Sequence, residues 1–257
     1  MLTRMKLCLI TDLHLNRYPK FFNRRLLNKA KKCDALVLMG DLTTGLYTEE
    51  HLEFLRQFCK DVYFVLGNHD FYTSSFRETE LRVSAAVLDT NLHWLDEDDP
   101  VEISPGTWLM GVDGWYDIAL GDSFFMDVNF DRMMIKDLLI KRRREDRSDV
   151  ISARALASAD NFTRKMDKIP ANAESIIVAT HYPPWMGPIR GILDAFWLAQ
   201  SVNSSLADRI IEESTSRRPH TKIKVLCGHV HNSYELNPEQ NIHCTVLNSR
   251  QVRIIEV

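Results

Sequence analysis

The chain has 257 residues, 45% hydrophobic and 26% charged, a balance that excludes a disordered or fibrous protein and leaves enough apolar mass for a full core. A formal net charge of -3 excludes a global positive field that would draw the protein to nucleic acid or anionic lipid, so any such affinity has to be local. The five cysteines, Cys8, Cys33, Cys59, Cys227 and Cys244, are odd in number and widely spaced, which predicts reduced packing thiols and a cytoplasmic setting.

Along the chain, apolar runs alternate with amphipathic stretches, and no internal repeat intervenes. Strands are predicted at Lys6–Thr11, Ala35–Met39, Val62–Leu66, Trp108–Val112, Ser175–Thr180, Lys222–Cys227, Ile242–Asn248 and Val252–Glu256. Helices are predicted at Phe21–Lys32, Glu49–Lys60, Phe76–Leu88, Phe130–Arg144, Ser152–Lys168 and Asn203–Ser214. The alternation predicts one layered α/β domain over residues 1–257. The largely helical segment 113–173 is expected to form a cap-like insertion over a cleft, where specificity would reside. No run approaches the ~20 apolar residues of a membrane span, so no membrane partner is expected.

Chemistry concentrates where the strands end. Five short segments, Asp12-Leu13-His14, Gly40-Asp41, Gly67-Asn68-His69-Asp70, Thr180-His181 and Gly228-His229-Val230-His231, hold five of the nine histidines. Asp12, Asp41, Asn68, His181 and His229 each follow a predicted strand within a residue or two. Loops leaving the carboxyl ends of strands in an open α/β sheet converge on one crevice, so these segments can meet. Carboxylate oxygen and neutral imidazole nitrogen suit hard and borderline divalent cations, and no thiolate joins the set. If Asp41 bridges two ions, seven protein ligands give each ion four contacts and leave positions open for water and substrate. Four positive charges less the two carboxylates leave an excess matched to phosphate.

In this order the five blocks resemble the motif set of calcineurin-like metallophosphoesterases, and the resemblance runs from Asp12 to His231. It implies a four-layer αββα sandwich of two mixed β-sheets flanked by helices. It also implies Asp12, His14 and His231 on one metal, Asn68, His181 and His229 on the other, and Asp41 shared. The two divalent ions are expected to be manganese first, with iron, zinc, magnesium, nickel or cobalt also fitting. Attack on phosphorus by a bridging hydroxide follows for such a pair. By the same resemblance His69 protonates the leaving oxygen as general acid, and Asp70 beside it holds the imidazole.

Other readings stand beside these. Asp12 alone would also suit a turn cap, and Gly40, Gly67 and Gly228 would also suit strand termination. Lys141, Arg142, Arg143, Arg144 and Arg147 form the densest basic cluster, but Glu145, Asp146 and Asp149 follow, which favours a solvated helix face. Tyr182 and Trp185, with Trp115-Tyr116, are candidates for a wall on which a nucleobase stacks, or for packing, and Arg190 for a phosphate contact. Within the family, Ser/Thr phosphatases usually carry Asp-Arg after Gly-Asp and end the third block in Glu, whereas Leu42 to Gly45 and Asp70 stand here. The favoured substrate is therefore a small phosphodiester such as a cyclic nucleotide or nucleotide derivative. A nuclease is the alternative, with nucleic acid not favoured, and a non-catalytic metal-binding scaffold is the other.

Overall fold

In the computed structural model, residues 5–119, 129–187 and 200–257 are described. Eleven strands build two sheets. The first contains β1 (Lys6–Ile10), β2 (Ala35–Met39), β3 (Asp61–Val65) and β4 (Leu92–Trp94), all parallel, with β11 (Arg253–Glu256) antiparallel on the β1 edge. The second runs β5 (Val101–Ser104), β6 (Thr107–Gly111), β7 (Ser175–Ala179), β8 (Lys222–Cys227), β10 (Ile242–Val246) and β9 (Tyr234–Leu236). Its inner four strands are parallel and its two edge strands antiparallel, so both sheets are mixed.

Alternation along each strand assigns the layers. Leu7, Leu9, Val37, Met39 and Val65 of the first sheet share one buried cluster with Leu109, Ile177, Ala179 and Leu226 of the second, which makes it the core between the sheets. The intervening residues Cys8, Ile10, Leu36, Leu38 and Phe64 point outward. They meet Leu27 of α1 (Lys20–Leu27), Leu52 and Leu55 of α2 (Thr48–Leu55) and Val83 of α3 (Phe76–Val87). On the other side Met110, Ile176, Val178, Ile223 and Val225 meet Phe162 and Met166 of α6 (Arg144–Met166) and Leu206 and Ile210 of α7 (Ser204–Glu212). The result is helix, sheet, sheet, helix, as the motifs implied. All five cysteines are free, three of them buried. Among the described residues no helix is long and apolar enough to cross a membrane.

Several boundaries differ from the pattern for local reasons. Strands β4, β5 and β9 have three or four residues each, too short to show a period. The single helix expected from Phe130 is instead α4 (Phe130–Met134) and α5 (Lys136–Leu139), broken at extended Ile135. There the backbone pairs outside the helix, Thr73 N donating to Met134 O at 2.7 Å and Lys136 N to Ser74 O at 2.9 Å. Helix α6 starts at Arg144 rather than Ser152, with Glu145 and Asp146 in a first turn whose free amides favour negative charge. Arg147, expected on a solvated face, is buried and donates to Lys141 O at 2.9 Å. Segment 113–173 thus divides: α6 is part of the outer layer, while α4 lies against the turn that follows β3.

Phe162 is fully buried in the outer core of the second sheet. Phe162→Ala should lower unfolding free energy by about 3–5 kcal/mol in urea titrations, with an unchanged slope.

Candidate metal centre

The carboxyl ends of β1, β2 and β3 in one sheet and of β7 and β8 in the other deliver Asp12, Asp41, Asn68, His181 and His229 to one place. Asp12, His14, Asp41, Asn68 and His181 are buried, while His231 stays exposed and His69 and His229 half-buried, so the cluster opens outward on the imidazole side. The backbone is bent to bring them there. Asp12, His14, Asp41, His229 and His231 all have φ between 44 and 67°, five of the nine non-glycine residues with positive φ among those described. Such conformations cost about 1–3 kcal/mol each and persist only where surrounding structure imposes them. Gly67 is needed for proximity instead: a Cβ there would lie 2.6 Å from Asp41 N and 2.7 Å from His181 Nε2.

Two groups of ligand atoms result. In the first, one atom each of Asp12, His14, Asp41 and His231 lie within 4.8 Å of one another. His231 Nε2 is 3.0 Å from Asp12 Oδ1, and Asp12 Oδ2 accepts from Thr11 Oγ1 at 2.6 Å. Both ring nitrogens of buried His14 lack a hydrogen-bond partner, an arrangement that ordinarily costs about 1–3 kcal/mol.

The second group centres on His181 Nε2, which lies 3.3 Å from Asn68 Oδ1, 3.3 Å from His229 Nδ1 and 3.4 Å from Asp41 Oδ1. Surrounding bonds fix the protons elsewhere. His181 Nδ1 donates to Met39 O at 2.8 Å and His229 Nε2 to Gln200 O at 3.2 Å, so the nitrogens facing the centre carry lone pairs. Asn68 Nδ2 donates to Tyr72 Oη at 3.0 Å and Asp131 Oδ1 at 2.8 Å, which turns its carbonyl oxygen inward. Asn68 Oδ1, His181 Nε2 and His229 Nδ1 face each other with no proton among them, beside the Asp41 carboxyl, a set that one cation satisfies together and a single proton does not.

Electrostatics agree. Burial, reinforced by the Asp12 and Asp70 carboxylates, pushes the Asp41 carboxyl well above its usual range. Burial also pushes His14 down to about 3 and His69 down to about 2, and lowers His181 and His229, which keeps these imidazoles neutral and ready to ligate. His231 moves up because of its hydrogen bond with Asp12. Burial acts upward on Asp12 as well, but the bond with His231 and the neighbouring imidazoles outweigh it and hold that carboxyl low.

Among neighbouring residues Asp70 departs from its expected role, and the aromatics take the packing alternative. Asp70 does not hold His69: its carboxylate accepts from Gly67 N and Thr43 N, each at 2.8 Å. Adjacent side chains on the tight turn Asn68–Phe71 diverge, so Asp70 ties the turn to the loop after β2 while His69 faces outward. The His69 Nδ1 partner is Arg17 Nη2 at 3.0 Å. Tyr182, Trp115 and Tyr116 are completely buried and form no open wall. The Tyr182 ring packs 4.3 Å from that of His229 and backs the imidazole. Trp185 is half-buried against the outer core of the second sheet, and Arg190 lies outside the described residues.

Arg17 and Asp131 are the functional neighbours that spacing did not flag. Buried Asp131, on α4, accepts from Asn68 Nδ2, Tyr72 Oη at 2.7 Å, Tyr116 Oη at 3.1 Å and Asn129 Nδ2 at 3.3 Å. Only its place at the start of a helix marks it in the sequence.

The family model for calcineurin-like phosphoesterases matches residues 5–233. The chain belongs to that family. Members are phosphoesterase hydrolases that depend on two metal ions, in keeping with the two donor groups. Similar solved folds include a phosphopantetheinyl hydrolase from Mycobacterium tuberculosis, with TM-score 0.70 and 14% identity over 97% of this chain and 92% of that one. A dimetal phosphatase from Danio rerio gives TM-score 0.58 and 13% identity over 96% and 88%. TT1561 of Thermus thermophilus gives 0.54 and 11% over 99% of each chain. No curated protein matches the phosphoesterase by sequence.

Asp131 controls which atom of Asn68 faces the centre, so Asp131→Ala should weaken one of two manganese sites about 10–100-fold and spare the other in calorimetric titration.

Proposed function

We propose that this phosphoesterase hydrolyses a small phosphodiester, such as a cyclic nucleotide or nucleotide derivative, with Asp12, His14, Asp41 and His231 holding one divalent ion and Asp41, Asn68, His181 and His229 the other. The observation that carries the reading is the convergence of the proton-free acceptors Asn68 Oδ1, His181 Nε2 and His229 Nδ1 beside Asp41 Oδ1. When bound, such a pair of ions lowers the pKa of water and neutralises charge on phosphate oxygens. Manganese suits the mixed oxygen and nitrogen set, with other divalent ions as alternatives.

The chain's own residues supply the rest. A guanidinium only donates, so the Arg17 contact makes Nδ1 of His69 an acceptor and leaves the proton on Nε2. Nε2 lies 3.7 Å from Asp41 Oδ2, on the side where the two donor groups meet. His69 is therefore suited to donate its Nε2–H in a hydrogen bond to the leaving oxygen, and Arg17, rather than Asp70, holds the required tautomer. The His69 backbone N–H donates to Asp41 Oδ1 at 2.9 Å, which fixes the orientation of the shared carboxylate. Diesters whose leaving groups are poor need such stabilisation of the leaving oxygen most, which favours that substrate class over activated monoesters.

Titration of metal binding and turnover of bis(4-nitrophenyl) phosphate separate the roles. Asp41→Ala should lose both ions. His69→Ala should keep two ions and turnover of 4-nitrophenyl esters, yet lose about 10²–10⁴-fold on alkyl or nucleoside diesters. Equal metal loss in the two variants would sink this division. A panel of cyclic nucleotides, phosphopantetheinyl esters, single-stranded DNA and 4-nitrophenyl phosphate identifies the substrate class, and inactivity on all of them with every metal would favour a scaffold.

The raised Asp41 carboxyl keeps its proton to higher pH than a free carboxyl, whereas His14, His69, His181 and His229 are already neutral. Manganese uptake should therefore release protons where the Asp41 carboxyl still holds one, and weaken as the pH is lowered. Calorimetry in buffers of different ionisation enthalpy measures that release, and a pH-independent affinity with no release would contradict it.

A further inference from the structure

Beyond the hydrolytic centre, and independent of it, lies a second feature in the stretch between Leu13 and Cys33. It carries seven Lys and Arg residues and no acidic one, in a chain whose net charge is -3. Helix α1 uses Leu27, with Leu26, to pack on the first sheet, joined by Ala30 just beyond its end. The rest of its surface faces outward. Phe21 is 68% and Phe22 54% exposed, flanked by Lys20, Arg24 and Arg25, and Leu46 on the neighbouring loop is 59% exposed. Lys20 pairs with Glu50 at 2.9 Å, which joins α1 to α2 beside that loop, whereas Arg24, Arg25, Lys29 and Lys32 form no ion pair among the described residues.

We propose that this face docks the protein onto an anionic lipid bilayer, Phe21 and Phe22 entering the boundary between headgroups and acyl chains while the surrounding cations meet lipid phosphates. Exposed aromatics beside a dense positive field are what interfacial helices present, and each Lys or Arg near an anionic surface adds attraction. Ring geometry decides against single-stranded nucleic acid. Stacked bases require open ring faces, but Phe21 and Phe22 pack edge to face at 5.5 Å and 68°, and the Arg250 guanidinium already covers Tyr18 at 3.9 Å. The face is also rigid. Asn23 Nδ2 donates to Leu15 O and Tyr18 O at 3.1 Å each, and Arg250 donates to Asn23 Oδ1 at 3.0 Å. Because Asp12 and His14 immediately precede it and Arg17 reaches His69, docking there would set the metal centre close to the headgroup layer. Peripheral docking of this kind needs no membrane-spanning helix.

Co-sedimentation of the full chain with large unilamellar vesicles, in chelating buffer, tests this. Vesicles of phosphatidylglycerol and phosphatidylcholine in equal parts should bind the protein, and phosphatidylcholine alone should bind it at least ~10-fold more weakly. Arg24→Glu with Arg25→Glu should reduce binding ~10-fold or more, as should Phe21→Ser with Phe22→Ser, in variants that melt like the parent. No binding to anionic vesicles at low salt would overturn the proposal. So would binding untouched by loss of the phenylalanine pair, since charge alone would then explain it. Tight binding of single-stranded DNA that the arginine reversals abolish, without vesicle binding, would assign the face to nucleic acid instead.

Discussion

The constraint on which this structure turns is the crowding of lone pairs at the edge where the two sheets meet. His181 Nε2 has an amide oxygen, a second imidazole nitrogen and a carboxyl oxygen within 3.4 Å, and neither the amide oxygen nor the imidazole nitrogen has a proton to offer it. Several separately unfavourable features serve this one arrangement. Five site residues adopt left-handed backbone, the two nitrogens of His14 are buried without partners, and Asp41 is buried beside other carboxylates. No local gain offsets them. A divalent cation in each donor group would, because it would convert repulsion between acceptors into ligation.

The sandwich explains why such crowding can be held in place. Asp12, Asp41 and Asn68 come from one sheet, His181 and His229 from the other, and the two sets are locked across the interface. His181 Nδ1 donates to Met39 O at the end of β2, His229 N donates to Asp12 Oδ2 at 3.2 Å, and Gly228 N donates to His181 O at 3.0 Å. Neither sheet holds a full set of donors alone. Packing between Leu9, Val37, Ile177 and Leu226 therefore sets the distance between the halves of the centre, so core packing and site geometry are coupled through the same strands.

The parts of this design that were legible in the sequence are those governed by local pattern. Central parallel strands show as fully or largely apolar runs such as Ala35–Met39 and Lys222–Cys227, whose bounds match the structure, and the site residues sit one or two positions past such runs. Short edge strands left no period to detect, and the break at Ile135 depends on carbonyl and amide groups of Thr73 and Ser74, more than sixty residues earlier in the chain. Contacts between neighbouring side chains misled for a related reason. Asp70 stands next to His69 in sequence, yet consecutive residues on a tight turn face different ways, and the partner of the imidazole comes from Arg17, 52 residues away. Tyr182 follows a site residue and is aromatic, but its fully buried ring supports His229 from within.

Asp131 shows how far the centre extends past the residues that could touch an ion. An amide ligand has two ends of similar shape and opposite hydrogen-bonding character, so Asn68 is useful only if something distinguishes them. Asp131 does so by accepting from the amide nitrogen, and it needs support of its own, because burial raises its carboxyl and would favour a protonated form. Tyr72, Tyr116 and Asn129 provide that support by donating to it. All four act as one unit, and Asn129 and Asp131 belong to the connection between β6 and β7, both strands of the second sheet. The orientation of a candidate ligand that follows β3 of the first sheet is thus set by residues from a connection within the second, which ties that connection to the candidate site more closely than a mere cover would require.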